Sequence, residues 1–355
     1  LGLHEASTAT GDPYYKDAED RLAEFLCRIQ VRSEVHPELD GAWFRGFDYE
    51  RWTHWASDAD AGFYTKQQLR DLVDYAAARH IMIVPEIEMP GHMVAALTAY
   101  PQYSCTGGPH ELWTTSGISK EVLCLGNDEA IQFVEGILDE VLDIFPSPFI
   151  HIGGDEAPRE RWKTCATCQR RMKDLGLTSE DELQGWFTSH ISRYLASRGR
   201  RMIGWSEVLH GLSDGLDPGA VIHSWLSPTY AVQAIAQDHD VIMSSHTHCY
   251  LDYPYDRISL ADAYGFEPIP SGLAAADHER VLGIQANMWT EWVPTRDRLD
   301  YQVFPRLCAY AETGWSRAAD KSFDDFQRRM ERHYRILRYL GVRCYNSPEN
   351  SETGA

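Results

Sequence analysis

Long apolar runs are missing from these 355 residues. No stretch approaches the roughly 18 to 20 apolar residues that a membrane-spanning helix needs, so a helical span is excluded and no membrane partner is expected. The first residues, LGLHEASTATG, lack the basic start and apolar core of a signal peptide. The chain is expected to be soluble, with any signal already removed, and an extracytoplasmic (secreted or periplasmic) setting is expected ahead of a cytoplasmic one.

Positive charge is also scarce. Lys and Arg number 33 against 53 Asp and Glu, and the formal net charge of -20 would repel both a phosphate backbone and an anionic membrane surface. Nucleic acid is therefore excluded as a partner. Low-complexity linkers and internal repeats are absent, and so is the glycine-rich phosphate loop of many open doubly wound sheets. The eight cysteines are scattered apart from Cys165 and Cys168, which rules out a small disulfide scaffold.

What the chain does contain is 43% hydrophobic residues, enough for one large core. Apolar runs of strand length alternate with amphipathic segments. The strand candidates lie at 1–7, 81–89, 149–154, 201–207, 220–226, 240–245 and 281–289, with a weak second strand near RIQVRS. Thr65 with Gln68 and Ser179 with Glu182 have capping-box spacing, 129–145 carries an apolar helical face, and 322–340 should end before Gly341. The alternation predicts an α/β fold, a (β/α)8 TIM barrel whose second strand is irregular or missing. The whole of 1–355 is read as a single catalytic domain, with an atypical front end at 1–30 and a C-terminal helix at 320–345.

In such a barrel the chemistry sits where the strands end. Those positions hold Glu86 and Glu88 followed by His92, then Asp155 and Glu156, Trp205 and Glu207, Trp225, Tyr250 and Asp252, and Trp289 and Glu291. Any one tryptophan is best read as a core residue, but three at comparable strand ends, interleaved with acids, suit a carbohydrate: indole faces pack on sugar C–H faces and carboxylates accept hydroxyl protons. Asp155 and Glu156 follow the strand FIHIGG directly. Side chains alternate along a strand, so the two neighbours are expected to face different ways and to have different jobs.

The stretch HIGGDEAP resembles the active-site motif of glycoside hydrolase family 20, the β-N-acetylhexosaminidases. YTKQQLRDLVDYAAARHIMIVPEIEMPGHMVAAL, GRRMIGWSEVL, HCYLDY, ANMWTEWV and FPRLCAYAETGWS are similar to segments of that family in the same order, over roughly residues 31–318. The resemblance implies retaining, substrate-assisted hydrolysis of terminal β-linked GlcNAc or GalNAc from a glycan or glycoconjugate. Glu156 then matches the acid/base, Asp155 the residue that holds the 2-acetamido N–H, and Tyr250 the donor to the acetamido carbonyl. Trp205, Trp225 and Trp289 match the aromatic walls, Asp252 and Glu291 acceptors for sugar hydroxyls, and His92 and His151 supports for the acid. No cofactor and no metal are implied, and the oligomeric state is left open, a homodimer included.

The front end departs from the pattern. Residues 1–30 offer neither the arginine that grips ring hydroxyls after the family's first strand nor the His/Asp-rich run after its second, so sugar recognition is expected to be weakened. Two other readings stand beside hydrolysis by substrate assistance: a double-displacement glycosidase using Asp252 or Glu291 as nucleophile, and a catalytically impaired sugar-binding barrel. Cys165-x-x-Cys168 has the spacing of half a zinc site, but with no second pair near in sequence it is read as a surface thiol pair or local disulfide. Cys105 and Cys124 are candidates for a further bridge.

Overall fold

A computed structural model describes residues 64–113, 117–212, 214–290, 293 and 295–345. The expected first strand, the weak second strand, the front end at 1–30 and Glu291 lie outside the described residues. The described chain forms two compact units, one ending at Val241 and one beginning at Ile242.

In the first unit, helix α1 (Lys66–Ala77) opens with a complete capping box. Gln68 N–H donates to Thr65 Oγ1 at 3.2 Å and Thr65 N–H to Gln68 Oε1 at 2.8 Å, so two amides of the first turn find acceptors. Helix α2 (Asp128–Ile144) is capped by Asn127, carries Asp128 and Glu129 at its positive end, and buries Ile131, Val134, Leu138 and Val141 along one face. Two further helices are α3 (Ala166–Leu175) and α4 (Glu180–Ser197). At α4 the expected box is half made: Ser179 accepts from Glu182 N–H, but the Glu182 carboxylate turns to Thr178, taking its N–H at 2.6 Å and its hydroxyl at 2.9 Å.

Three parallel strands run side by side in chain order: β1 (Phe149–His151), β2 (Arg201–Trp205) and β3 (Val221–Ser224). Their register sets His151 opposite Ile203 and Trp205 opposite His223. The segment 81–89 is not the full strand its pattern suggests. Only Glu86 makes a ladder contact, with His151. Pro85 has no N–H to give, so the pairing is carried by its carbonyl and by the amides of Ile87 and Met89, which bond to His151 and Ile152. The strand β4 (Asp240–Met243) runs across the division between the units.

In the second unit β4 neighbours β5 (Val281–Ile284), and Gln285 N–H donates to the Met243 carbonyl at 2.9 Å. Helices α6 (Arg296–Val303), α7 (Arg306–Trp315) and α8 (Phe323–Tyr339) follow α5 (Pro228–Ile235) of the first unit. Helix α8 ends as its sequence predicts. Gly341 takes φ +74°, and the N–H groups of Gly341 and Val342 close back on the carbonyls of Arg338 and Leu337, the two bonds of a Schellman motif.

The cysteine expectations need correcting. Cys165 and Cys168 are no surface pair, being 8% and 0% exposed, and Cys105, Cys124, Cys165 and Cys168 are all free thiols, so neither proposed bridge forms. The fold brings both pairs to one place.

Candidate active site

The acids of the first unit stand where β1 has ended. After His151 the chain takes positive φ at Gly153 (+67°), Gly154 (+92°) and Glu156 (+46°), and only the two glycines adopt this region without strain. Gly153 is required for a second reason: a Cβ there would lie 1.8 Å from Glu88 Oε2. The turn cancels the alternation expected of a strand. Instead of facing apart, Asp155 and Glu156 converge on one imidazole, with His92 Nε2 at 3.5 Å from Asp155 Oδ2 and 3.3 Å from Glu156 Oε2. His92 itself has φ +52°.

Burial works to lower the His92 pKa, but hydrogen bonds to Asp155 and Glu156 and their negative charge outweigh it, and the imidazole is pushed up to about 10. It is an imidazolium at neutral pH. Among the described residues, the buried Asp155 Oδ1 takes no well-formed hydrogen bond. Gln184 holds the turn from below, donating to the Gly154 carbonyl at 2.7 Å.

Beside these half-buried acids stand Glu88, also half-buried, Glu86, which is more exposed, and the buried His151. Glu88 is driven well above the usual carboxylate range, first by burial and then by the charges of Asp155 and Glu86; Glu86 is raised by burial too, against hydrogen bonds from Glu88 and Trp205 that lower it. His151 is held neutral by burial and by His223. Its Nδ1 accepts from Gly153 N–H at 3.0 Å, which assigns the ring proton to Nε2, 3.2 Å from His223 Nδ1.

Trp205 lies among these groups. It is 2% exposed, its indole N–H donates to Glu86 Oε1 at 2.7 Å, and its ring stacks on His223 at 4.3 Å. An open wall it is not: the register beside β3 turns its face onto His223. Trp225 is half-buried and donates to Glu207 Oε2 at 2.8 Å. Burial raises Glu207, and that indole N–H partly offsets it.

The second unit brings together Tyr250 and Trp289, with ring centroids 6.0 Å apart, and places Tyr250 in a parallel bridge with Asn287. Tyr250 and Asp252 are 6% and 5% exposed. The backbone of this corner is gripped by Arg306, which is fully buried and donates to the carbonyls of Leu251 (2.6 Å), Tyr253 (2.8 Å), Ile258 (3.1 Å) and Gln302 (2.8 Å). Gln302 in turn donates to the Asp252 carbonyl at 2.7 Å.

Two of these residues, His223 and Arg306, are not marked by the sequence pattern, whereas Glu88 and Glu207 stand among the strand-end acids without a role assigned to them. His223-x-Trp225 has the two-residue spacing that puts side chains on one face, a signal that could have found His223. Nothing in FPRLCAYAETGWS marks Arg306 as buried.

A parallel α/β chain with its acids, imidazoles and indoles gathered at strand ends belongs to the class of β/α barrels with a site at the C-terminal face. The family model described as glycosyl hydrolase family 20, catalytic domain, matches residues 28–318, and the chain belongs to that family. It is 43% identical over 286 residues to a β-hexosaminidase of Porphyromonas gingivalis, covering 76% of this chain and 36% of that protein. To a β-hexosaminidase of Akkermansia muciniphila it is 34% identical over 291 residues, covering 78% and 58%. The crystal structure of an exo-β-N-acetylglucosaminidase from Vibrio harveyi in complex with N-acetylglucosamine matches with a TM-score of 0.78 at 29% identity, over 93% of this chain and 56% of that one. The fold is the family's TIM barrel. The chain thus spans between 36% and 58% of the length of these relatives.

Proposed function

We propose that this chain is the catalytic barrel of a retaining exo-β-N-acetylhexosaminidase that removes terminal β-linked GlcNAc or GalNAc from glycans by substrate-assisted hydrolysis. The observation that carries this reading is the convergence of Asp155 and Glu156 on His92 Nε2. Retaining enzymes of the double-displacement type set two carboxyls roughly 5 to 5.5 Å apart across the scissile bond. Two acids crowded on one imidazole, on one turn, do not straddle a bond. They suit a division of labour in which the substrate supplies the nucleophile.

In the first step the acetamido carbonyl oxygen bonds to C1 while the C1–O bond to the leaving group breaks, and Glu156 gives its proton to the departing oxygen. Asp155 accepts the acetamido N–H and offsets the positive charge of the oxazolinium ring; its buried Oδ1 is an acceptor suited to that bond. In the second step the Glu156 carboxylate takes a proton from water, the water oxygen bonds to C1 and the ring opens. The charged His92 steadies the Asp155 carboxylate throughout and the Glu156 carboxylate once its proton has left. Tyr250 donates to the acetamido carbonyl, and Trp225 and Trp289 pack on the sugar, with Trp205 as a buried floor. His151 keeps the turn before Asp155 in place; Asp252 and Glu291 accept outer hydroxyls. Residues 1–355 are read as one catalytic domain, a reading supported by a family match that runs through both units.

A thiazoline analogue of the cyclic intermediate tests the reading, because it resembles a state nearer the transition state than plain GlcNAc does. It should inhibit far more tightly than GlcNAc. Comparable inhibition by the two would remove the case for substrate assistance.

A further inference from the structure

We propose that Cys105, Cys124, Cys165 and Cys168 form a structural zinc site with four thiolate ligands. Their Sγ atoms all lie within 4.8 Å of one another. The Cys105–Cys168 separation is 3.8 Å, and Cys124 stands 3.7 Å from both Cys165 and Cys168. A tetrahedron with Zn–S bonds of about 2.3 Å has S···S edges of about 3.8 Å. A disulfide would bring two sulfurs to about 2.05 Å. The spacing in the cluster is that of sulfurs sharing a metal.

The surroundings suit negative sulfur. Cys165 occupies the N-cap of α3 and Cys168 its first turn, where the free amides and the positive end of the helix dipole favour thiolates. The Thr167 hydroxyl lies 3.3 Å from Cys124 Sγ and 3.1 Å from Cys165 Sγ. Cys124, Cys165 and Cys168 are buried, so all four coordination positions are filled by protein and the site is closed, as structural zinc sites are.

The backbone is built for the meeting. An antiparallel bridge between Ser104 and Leu123 brings Cys105 and Cys124 together, with Cys124 N–H donating to the Tyr103 carbonyl at 2.8 Å. Gly126 packs so closely on the turn carrying Thr167 that a Cβ would lie 2.2 Å from the Thr167 carbonyl carbon. Trp162 Nε1–H donates to the Leu123 carbonyl at 2.9 Å, joining the same two segments. One of these segments follows Glu156 and the other follows His92. The metal therefore clips the chain beyond the acid to the chain beyond its histidine, and its role is to hold them in register. Binding exchanges thiol protons for the ion: Zn2+ takes four thiolates and up to four protons leave to solvent.

The full chain, expressed with zinc in the medium and purified without strong chelators, decides the matter by elemental analysis and peptide mapping under non-reducing conditions. We expect a single zinc per chain that survives desalting, and all four cysteines recovered as thiols after denaturation. Replacement by Co2+ should give the intense visible bands and sulfur-to-metal charge transfer of a tetrahedral tetrathiolate. Cys165→Ser with Cys168→Ser should lose the metal; should that variant fail to fold, the measurements on the unaltered chain still decide. Two disulfides within the cluster, four thiols that bind no zinc when it is supplied, or iron in place of zinc would each overturn the assignment. None of these readouts depends on glycosidase activity.

Discussion

In the first unit the acids are placed by the backbone beneath them: three positive φ angles between Gly153 and Glu156 turn Asp155 and Glu156 onto His92, beside a half-buried Glu88 and a buried His151. In the second unit a buried cation does the placing, as Arg306 gathers the carbonyls of Leu251, Tyr253, Ile258 and Gln302 around the loop that carries Tyr250 and Asp252. The difference follows from what each side must hold. The two carboxylates of the first unit are held beside a charged imidazole. A tyrosine and an indole need only a fixed direction, and an arginine that bonds backbone carbonyls and lies over the Tyr255 ring supplies it.

The contrast implies that changes in the first unit act on turnover and pH, and changes in the second on stability. The largest effect is expected from Glu156→Gln. General acid catalysis is worth about 10²- to 10⁴-fold, so hydrolysis of natural glycosides should fall by that order while substrates with activated leaving groups are largely spared. Equal loss on both would take the acid role away from Glu156. Arg306→Met should instead leave four carbonyls without their donor and cost about 3 to 5 kcal/mol, read from urea unfolding. A variant as stable as the parent would show that the loop is held some other way.

Glu88 sharpens the comparison through pH. The folded protein keeps a proton that an unfolded glutamate releases near 4.5, so stability is fully present below that pH and is lost as pH rises through the raised folded value. Glu88→Gln mimics the protonated form. It should flatten this slope by up to one proton, about 1.36 kcal/mol per pH unit, with the parent losing ground to the variant as pH rises from 4.5 through the raised folded value. On the acid side His151, held neutral, contributes stability that is present above 6.5 and lost as pH falls, and Glu88→Gln should leave that limb unchanged. An unaltered slope above pH 4.5 would mean that the fold does not raise Glu88. The smallest effect is expected from Trp225→Phe, which removes one N–H to Glu207 worth about 0.5 to 1.5 kcal/mol and should raise KM by roughly 2- to 10-fold with kcat little changed. A fall in kcat alone would place Trp225 with the acids.

The strands within 149–154, 201–207, 220–226, 240–245 and 281–289, the helix faces and the Gly341 stop were legible in the sequence because each rests on local periodicity or a single residue's φ. The order of acids and indoles at the strand ends was legible for the same reason. What the sequence concealed depends on chain segments far apart meeting. Asp155 and Glu156 were expected to face apart, and only the positive φ at Glu156, which no residue type announces, turns them onto one histidine. Trp205 reads as an open wall until its register beside His223 buries it. Cys105, Cys124 and Cys165-x-x-Cys168 look like unrelated pairs until the Ser104–Leu123 bridge and Gly126 bring them together.

The central claim, that the substrate's own acetamido oxygen attacks C1 while Asp155 and Glu156 share the supporting work, is tested most directly by varying that oxygen. Aryl β-GlcNAc substrates whose N-acetyl group carries one, two or three fluorines keep the leaving group constant and weaken the carbonyl as a nucleophile. The account predicts that kcat/KM falls steeply with each fluorine. A flat series would contradict it and transfer the attack to a side chain of the enzyme.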